Sequence, residues 1–410
     1  MHARITRLIP PALAILALLA AGPAFAAQTY TKPDTHKYPA IKSGGSLDLT
    51  NLAGHVELVP ADDGVLTVDS KIVAVASTDA DAQALAAKIH LDVQTHGNSV
   101  SLMTRYPLDE YDRYFYRGED ENGVNISFNT TTTTYDGERV HISTGSFGSG
   151  INLHVDYTVH VPQGVKVKVD NKVGLIEAKG VVKSPLELAS GSGDIRGDHD
   201  SGGLKADTGS GDISFENTEG ALDLHSGSGD ITIGQQKNGD LKAETGSGDV
   251  KLDEVTGTVT ARTGSGEVRL KQFTGPGADV ETGSGGITLD DVGGSLKLRA
   301  GSGDIHASGL KAGEAVECHT GSGRIELEGD LSAVLRLTAE SGSGDIVIHT
   351  SSLPSLHIEA TSDSGDVDVD LPGMQNVSVH HHSFRADVNG AKGSAELESG
   401  SGDVTFSKRS

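Results

Sequence analysis

The 410-residue chain has no Trp, one Cys, three Met and only 4% aromatic residues. So few large rings argue against one large globular core and favour a thin core repeated many times. The single Cys, Cys318, excludes an intrachain disulfide. A thiol nucleophile needs an activating partner and access, whereas Cys318 shares a repeat position with Ala206 and Ala243 and reads as buried. Basic residues are few, 33 against 57 acidic ones, giving a formal net charge of −24. That balance opposes nonspecific contact with nucleic acid or an anionic membrane. After residue 26 no apolar run is long enough to cross a bilayer, so no transmembrane anchor is expected. The phosphate loop GxxxxGK[ST], the zinc motif HExxH and the nucleophile elbow GxSxG are all missing.

What the chain has is glycine, 54 residues, about twice the usual share. Much of it lies in one phrase, GSGD, at 191–194, 209–212, 227–230, 246–249, 301–304, 342–345 and 400–403. Variants are GSGE at 264–267, GSGG at 283–286, GSGR at 321–324 and DSGD at 363–366. Successive starts from 191 to 363 lie 18 to 21 residues apart, and the final step is 37, room for two units of which one is degenerate. A fixed period of this size signals stacked units. Each unit holds two short runs of alternating apolar and polar residues around the Gly-rich turn, the pattern of strands. Five places before the phrase stand Leu204, Leu222, Leu241 and Val259, and three places before it stand Ala206, Leu224, Ala243 and Ala261. Directly after it stand Ile195, Ile213, Ile231, Val250 and Val268, a β-branched column suited to strands. The spacing therefore predicts an all-β chain, a single-stranded β-solenoid of about 18–21 residues per coil with two short strands in each.

The rest divides around that array. Residues 1–26 read as a signal peptide, with Arg4 and Arg7, an apolar stretch Leu8–Ala21 and a cleavage site at Ala24-Phe25-Ala26. Removing them brings the net charge to −26, and the mature chain is expected to be exported. Residues 27–43 read as a flexible lead-in. Residues 44–185 read as a β-rich region of early coils and caps, with a short helix over 79–90 capped by Asp79 or Asp81. Ala82, Leu85, Ala86 and Ile89 give that helix its apolar face. Residues 153–169 predict two strands joined at Pro162–Gly164, with Lys166 and Lys168 outward to discourage edge pairing. The regular solenoid is expected over 186–406 and a polar tail over 407–410, the last phrase forming a blunt end.

Two groups of residues invite a chemical reading. The segment 105–122 collects Arg105, Tyr106, Tyr111, Arg113, Tyr114, Phe115, Tyr116 and Arg117. Clustered rings and Arg suit a partner-binding loop; the plainer reading is a loop folded over the end of the stack. The column Asp194, Asp212, Asp230, Asp249, Glu267, Asp304, Asp345, Asp366 and Asp403 would bring carboxylates one coil apart. Such a column could attract a hard cation. Gly286 and Arg324 interrupt it, however, and Asp more simply closes turns by accepting backbone hydrogen bonds. Arg324 is placed to pair with Asp304 or Asp345. The run His380–His382 cannot converge on one ion from a strand, because adjacent side chains point to opposite faces. No cofactor and no metal site is expected. Glycoside chemistry needs a distinct acid pair, and the sequence offers many equivalent acids and singles out no pair.

The run VDYTVHVPQGVKVKV at 155–169 followed by the GSGD phrases resembles the bacterial DUF4097 family, whose members are called putative adhesins or β-strand-repeat proteins. The resemblance covers roughly residues 44–406. It implies a β-solenoid in an exported or envelope protein and supplies no catalytic residues; the insertion at 105–122 is less typical and leaves open a role particular to this chain. Together these readings point to a noncatalytic exported scaffold, periplasmic or at the cell surface. Its partner would be an envelope or surface protein or a glycan. The alternatives are a carbohydrate-active solenoid enzyme and a periplasmic accessory in envelope-stress sensing.

Overall fold

The computed structural model describes residues 27–118, 129–144 and 149–409. The expected signal peptide and residues 119–122 of the Arg–aromatic segment lie outside the described residues. The fold is almost entirely β, with one helix among the described residues.

The repeats build two walls of parallel strands. In the first wall Leu204–Thr208 pairs with Leu222–Ser226, then Leu241–Thr245, then Val259–Thr263, each in register with its counterpart one repeat on. In the second wall Ile213 lies beside Ile231, and Ile231 beside Val250. The alternation dictates this register, since a one-residue slip would turn every inward side chain outward. Leu204, Ala206, Ile213, Phe215 and their counterparts in the next three repeats are buried. A short third ladder links the polar connections, with Thr218 beside Gln236 and Gln236 beside Val255.

The turn glycines are explained by crowding. Gly211, Gly229, Gly248 and Gly266 do not adopt positive φ. A Cβ at any of them would overlap the carbonyl of the equivalent glycine one repeat earlier. Stacked turns this close leave no room for a side chain.

Along the inside of these turns runs a column of hydroxyls. Thr208, Ser226, Thr245, Thr263 and Thr282 each donate Oγ to a glycine carbonyl of the preceding repeat, at 2.8–3.0 Å. Each also accepts the N–H of its own second turn glycine at 2.9–3.2 Å. Thr320, Ser341, Ser399 and Ser362 continue both bonds. At position 300 the column holds Ala.

Chain order and stacking order diverge at both ends. Lys166–Val173 pairs with Leu186–Ser190 on one side and with Ser46–Ala53 on the other, so Lys166 and Lys168 flank an interior strand and no edge. Both lysines instead bind Glu187, each at 3.1 Å. Below Ser46–Ala53 come Ser99–Arg105 and an antiparallel closing strand, His90–His96. The second wall continues through Val56–Pro60, Asn152–Val161 and Leu66–Ala76 to Gln28–Tyr38. The expected flexible lead-in is therefore an 11-residue outer strand, hydrogen-bonded along its whole length to Leu66–Ala76. The helix spans Asp79–Ala86 and buries Ala82, Leu85 and Ala86 against those two strands. Its N-cap is Thr78, not Asp79 or Asp81: Thr78 Oγ1 accepts the N–H of Asp81 at 3.1 Å and donates to the Asp81 carboxylate at 2.7 Å.

The last repeat is not the end of the stack. Gly393–Ser399 lies between Arg336–Ser341 and Leu356–Ser362, and Val404–Lys408 lies between Ile346–Thr350 and Val367–Asp370. The chain skips one level, forms the hairpin Gln375–His380 and Ser383–Asp387, and returns to fill the gap. The blunt end expected at 400–406 is thus an interior layer. The hydroxyl column ends on His382, whose Nδ1 lies 2.8 Å from the carbonyl of Gly365. A carbonyl only accepts, so Nδ1 carries the proton.

Candidate functional site

The acidic column is built by the turns. Asp194 Oδ1 accepts the backbone N–H of Asp212 one repeat on, at 3.0 Å. Asp212, Asp230 and Asp249 repeat the bond to Asp230, Asp249 and Glu267, at 2.8–2.9 Å. Asp304 serves Arg324, Asp345 serves Asp403 and Asp403 serves Asp366, at 2.8–3.0 Å. The turn-closing role expected of Asp thus acts between repeats. Glu267, a methylene too long, Gly286 and Arg324 make no such bond. Arg324 meets Asp304 through its backbone N–H; among the described residues no ion pair joins its side chain to Asp304 or Asp345. The second carboxylate oxygens carry the charge outward: Asp194 binds Arg196 at 2.7 Å, and Asp230 and Asp249 both bind Lys251 at 3.3 Å. The N–H of Glu267 leads the contacts that hold the Asp249 carboxyl below its usual range. Among the described residues no group of three or more His, Cys, Asp or Glu has the geometry to hold a metal ion.

The Arg–aromatic segment is divided by burial. Tyr114 is fully buried, and Tyr106 and Tyr116 are 7% exposed. Tyr106 stands edge-on to Tyr114 and Tyr135, with ring centroids 5.5 and 5.9 Å away. Its hydroxyl donates towards Asn51 Oδ1 and the Ala53 carbonyl, both at 3.1 Å. Buried Asn51 and Asn171, joined at 3.1 Å, extend the polar column of the turns to this end. These three rings are core, because the first levels lack the tight GSG turn and need larger side chains to fill the stack. As a partner-binding surface they are corrected: reaching them would open the core. Residues Arg113–Tyr116 form a strand paired with Glu138–Thr144. Arg105 is tied to Asp92 at 2.9 Å and to Asp136. Arg113 and Arg117 are exposed, and Tyr111 and Phe115 are half-buried. Lys88 Nζ sits 5.4 Å from the Tyr111 ring centroid.

The outer faces carry interleaved charge. On the first wall Arg262 reaches Glu244, Asp279 and Glu281 at 3.2–3.4 Å, across three successive repeats. Period-2 reading places all four outward, so this hub was accessible to sequence reasoning and was missed. An open depression of about 350 Å³ lies along the starts of the strands that begin at Leu204, Leu222 and Leu241. It is lined by Asp223, which stands between Lys205 and Lys242 of the neighbouring repeats, and by Asp240, whose counterparts are Ala221 and Thr258.

One buried acid was also missed. Asp200 is 4% exposed; Oδ1 accepts the N–H of Val181 at 2.9 Å, and Oδ2 has no partner. Burial pushes the carboxyl up to about 7. Beside it is a void of about 10 Å³ lined by Ser184 and Thr218 among others, the room of about one water. A raised carboxyl often marks acid–base chemistry, but this one is sealed from any polymer. Its signal was a polar residue in a third-ladder column that later becomes Val255 and Phe273.

The model of the family described as Toastrack DUF4097 matches residues 119–274 and again 219–357, together more than half of the chain. No protein of curated function matches. Among solved structures, a putative cell adhesion protein from Clostridium sporogenes is 10% identical, with 93% of this chain and 100% of that one covered and a TM-score of 0.19. A putative adhesin from Bacteroides fragilis is 14% identical, with 92% and 97% covered and a TM-score of 0.22. A putative lipid binding protein from Parabacteroides distasonis is 11% identical, with 92% and 97% covered and a TM-score of 0.24. Scores this low carry no argument about shape.

Proposed function

We propose that this chain, which belongs to the Toastrack DUF4097 family, is a noncatalytic exported scaffold that offers a long charged surface to an envelope or surface protein or glycan. Its two walls are read as opposite sides of one β-solenoid, about 18–21 residues per coil over 186–406, with 44–185 as the capping region. The observation that carries this reading is how the polar groups are used. Inward hydroxyls and one oxygen of most column acids are bonded to a neighbouring turn, so the polarity left for a partner lies on the outer faces. Adhesion and lipid-binding names attached to other proteins suggest which partners to try first.

Within the Arg–aromatic segment, Tyr111, Arg113, Phe115 and Arg117 are the members that offer contacts to a partner. The test is retention of the exported chain on isolated bacterial envelopes, with protein-stripped and glycan-stripped envelopes compared. Arg113→Glu with Arg117→Glu should weaken retention by about tenfold or more if these side chains anchor the contact, with the unfolding midpoint unchanged. Retention that survives this pair and a charge reversal at Arg262 would remove the surface reading. Turnover of an envelope polysaccharide would replace it with the enzymatic one.

A further inference from the structure

The C-terminal end of the stack is a step. The last level shared by both walls is Leu356–Ser362 and Val367–Asp370. Beyond it the first wall runs on by two strands, Ser383–Asp387 and Gln375–His380, while the second wall stops at Val367–Asp370. Register fixes which way the overhang faces. Phe384 pairs with Ala360, an inward position, and Val379 pairs with Phe384, so Val379 points inward as well; Val377, two residues before it, lies in a register shift between Gln375 and Ser378. No second-wall strand stands opposite them, and they are 67% and 50% exposed, the two most exposed large apolar side chains among the described residues.

We infer that this step is a self-complementary joint through which two copies of the chain associate end to end. The missing half-layer is two strands deep, and so is the overhang. A second copy, turned by a two-fold axis across the stack, would place its own overhang where the first copy lacks a second wall. Val379 of each would then meet that of the other across the ordinary separation of packed sheets, about 10 Å. Each overhang would also bring its outer strand against the free edge of Val367–Asp370 in the other copy. Such a contact is isologous and closes at two copies.

Charge favours this occupant. The strand Gln375–His380 carries no formal charge in a chain of net −24, and the edge it would meet holds Asp368 and Asp370, both exposed. His380 and His381 would lie next to those carboxylates. The opposite end of the stack is guarded: its outer strand Gln28–Tyr38 has Pro33, which has no N–H to donate, and turns Lys32 and Asp34 to the inward side, opposite Ile72 and Ser70. Proline and inward charge are devices that block edge pairing.

The test uses the chain from residue 27 to 410. Sedimentation from micromolar to near-millimolar concentration should show a monomer passing to a dimer and no larger species. Val377→Asp with Val379→Asp should leave a monomer throughout, with the urea midpoint unchanged because these side chains are exposed in the monomer. Val379→Cys should be joined between copies by a bifunctional thiol reagent spanning about 10 Å, and Thr288→Cys on the outer second wall should not. A wild-type chain that stays monomeric, a dimer that survives the double Asp variant, or a dimer whose Val379→Cys form does not cross-link more than Thr288→Cys would each overturn the joint. So would a monomer whose step instead takes up a strand of another protein.

Discussion

Thr263 offers the sharpest test of what holds the stack together. Its hydroxyl donates to the Gly248 carbonyl at 2.8 Å and accepts the Gly266 N–H at 3.0 Å, at a site only 5% exposed. Thr263→Val keeps the branched shape and deletes both bonds, leaving a buried carbonyl and a buried N–H without partners. Each orphan costs about 1–3 kcal/mol, so the loss should be about 2–6 kcal/mol. The chain carries its own inverse experiment at Ala300, which stands between Thr282 and Thr320 in the same column. Ala300→Ser would supply a hydroxyl to the Gly285 carbonyl and the Gly303 N–H, and should stabilise by about 1–2 kcal/mol.

Urea unfolding gives the sign, but a stacked array can open in pieces, so one midpoint is not sufficient. Amide exchange at the turn is the direct readout. Gly266 should lose protection in Thr263→Val, and Gly303 should gain it in Ala300→Ser. In the unaltered chain Gly303 should already exchange faster than Gly266. Equal exchange at those two glycines, with both substitutions within about 0.5 kcal/mol as at an ordinary surface site, would refute the hydroxyl column as a source of stability.

Other outcomes follow from single residues. Asp200, pushed up to about 7 by burial, keeps its proton in the folded chain between about pH 4 and 7 while the unfolded chain releases its own. The folded state therefore loses stability as pH rises across that window. Asp200→Asn should match wild type near pH 4 and exceed it by up to about 4 kcal/mol at pH 8; a constant difference between the two in urea titrations would contradict this. Cys318, fully buried with its thiol pushed up to about 12, should resist thiol reagents in the folded chain and react once urea unfolds it. Thr78→Ala removes the helix cap and should cost about 1 kcal/mol, with faster exchange confined to residues 79–86.

The period, the two strands per repeat and the inward columns were legible because one physical rule, alternation about a fixed turn, writes all three. The same rule made the hydroxyl column legible in principle. Positions five, three and one before the phrase all point inward, and Thr208, Ser226 and Thr245 occupy the last of these. Ser and Thr beside glycine read first as turn residues, and that local habit hid a long-range role. The Asp column was visible, but whether its bonds closed one turn or joined two depended on how closely turns stack, which the glycines' lack of side chains permits. Gln28–Tyr38 was hidden for another reason: an outer strand needs few apolar residues, and its Pro, Lys and Asp are what keep an edge from pairing further. In the Arg–aromatic segment composition could not separate a surface from a core. Tyr106, Tyr114 and Tyr116 fill levels that the repeat does not build, and their neighbours Arg113 and Arg117 face solvent.

The order of the layers could not be read from the repeats, because the repeats do not contain it. Gly393–Ser399 offers Ala395 and Leu397 to Leu337 and Ala339 on one side and to Ile358 and Ala360 on the other. At the end of the stack it would have met the same column on one side only. Every wall position accepts every repeat, so the order must come from segments outside the pattern: here the 37-residue step and the hairpin it contains. The choice has an energetic sense. A terminal repeat of a stacked array has one neighbour and is the first to open. Threading the last repeat inward gives it two neighbours, and the exposed position passes to a hairpin whose His382 closes the polar column. The irregular insert that looks like decay of the repeat is what determines where the stack ends and which side chains its end presents.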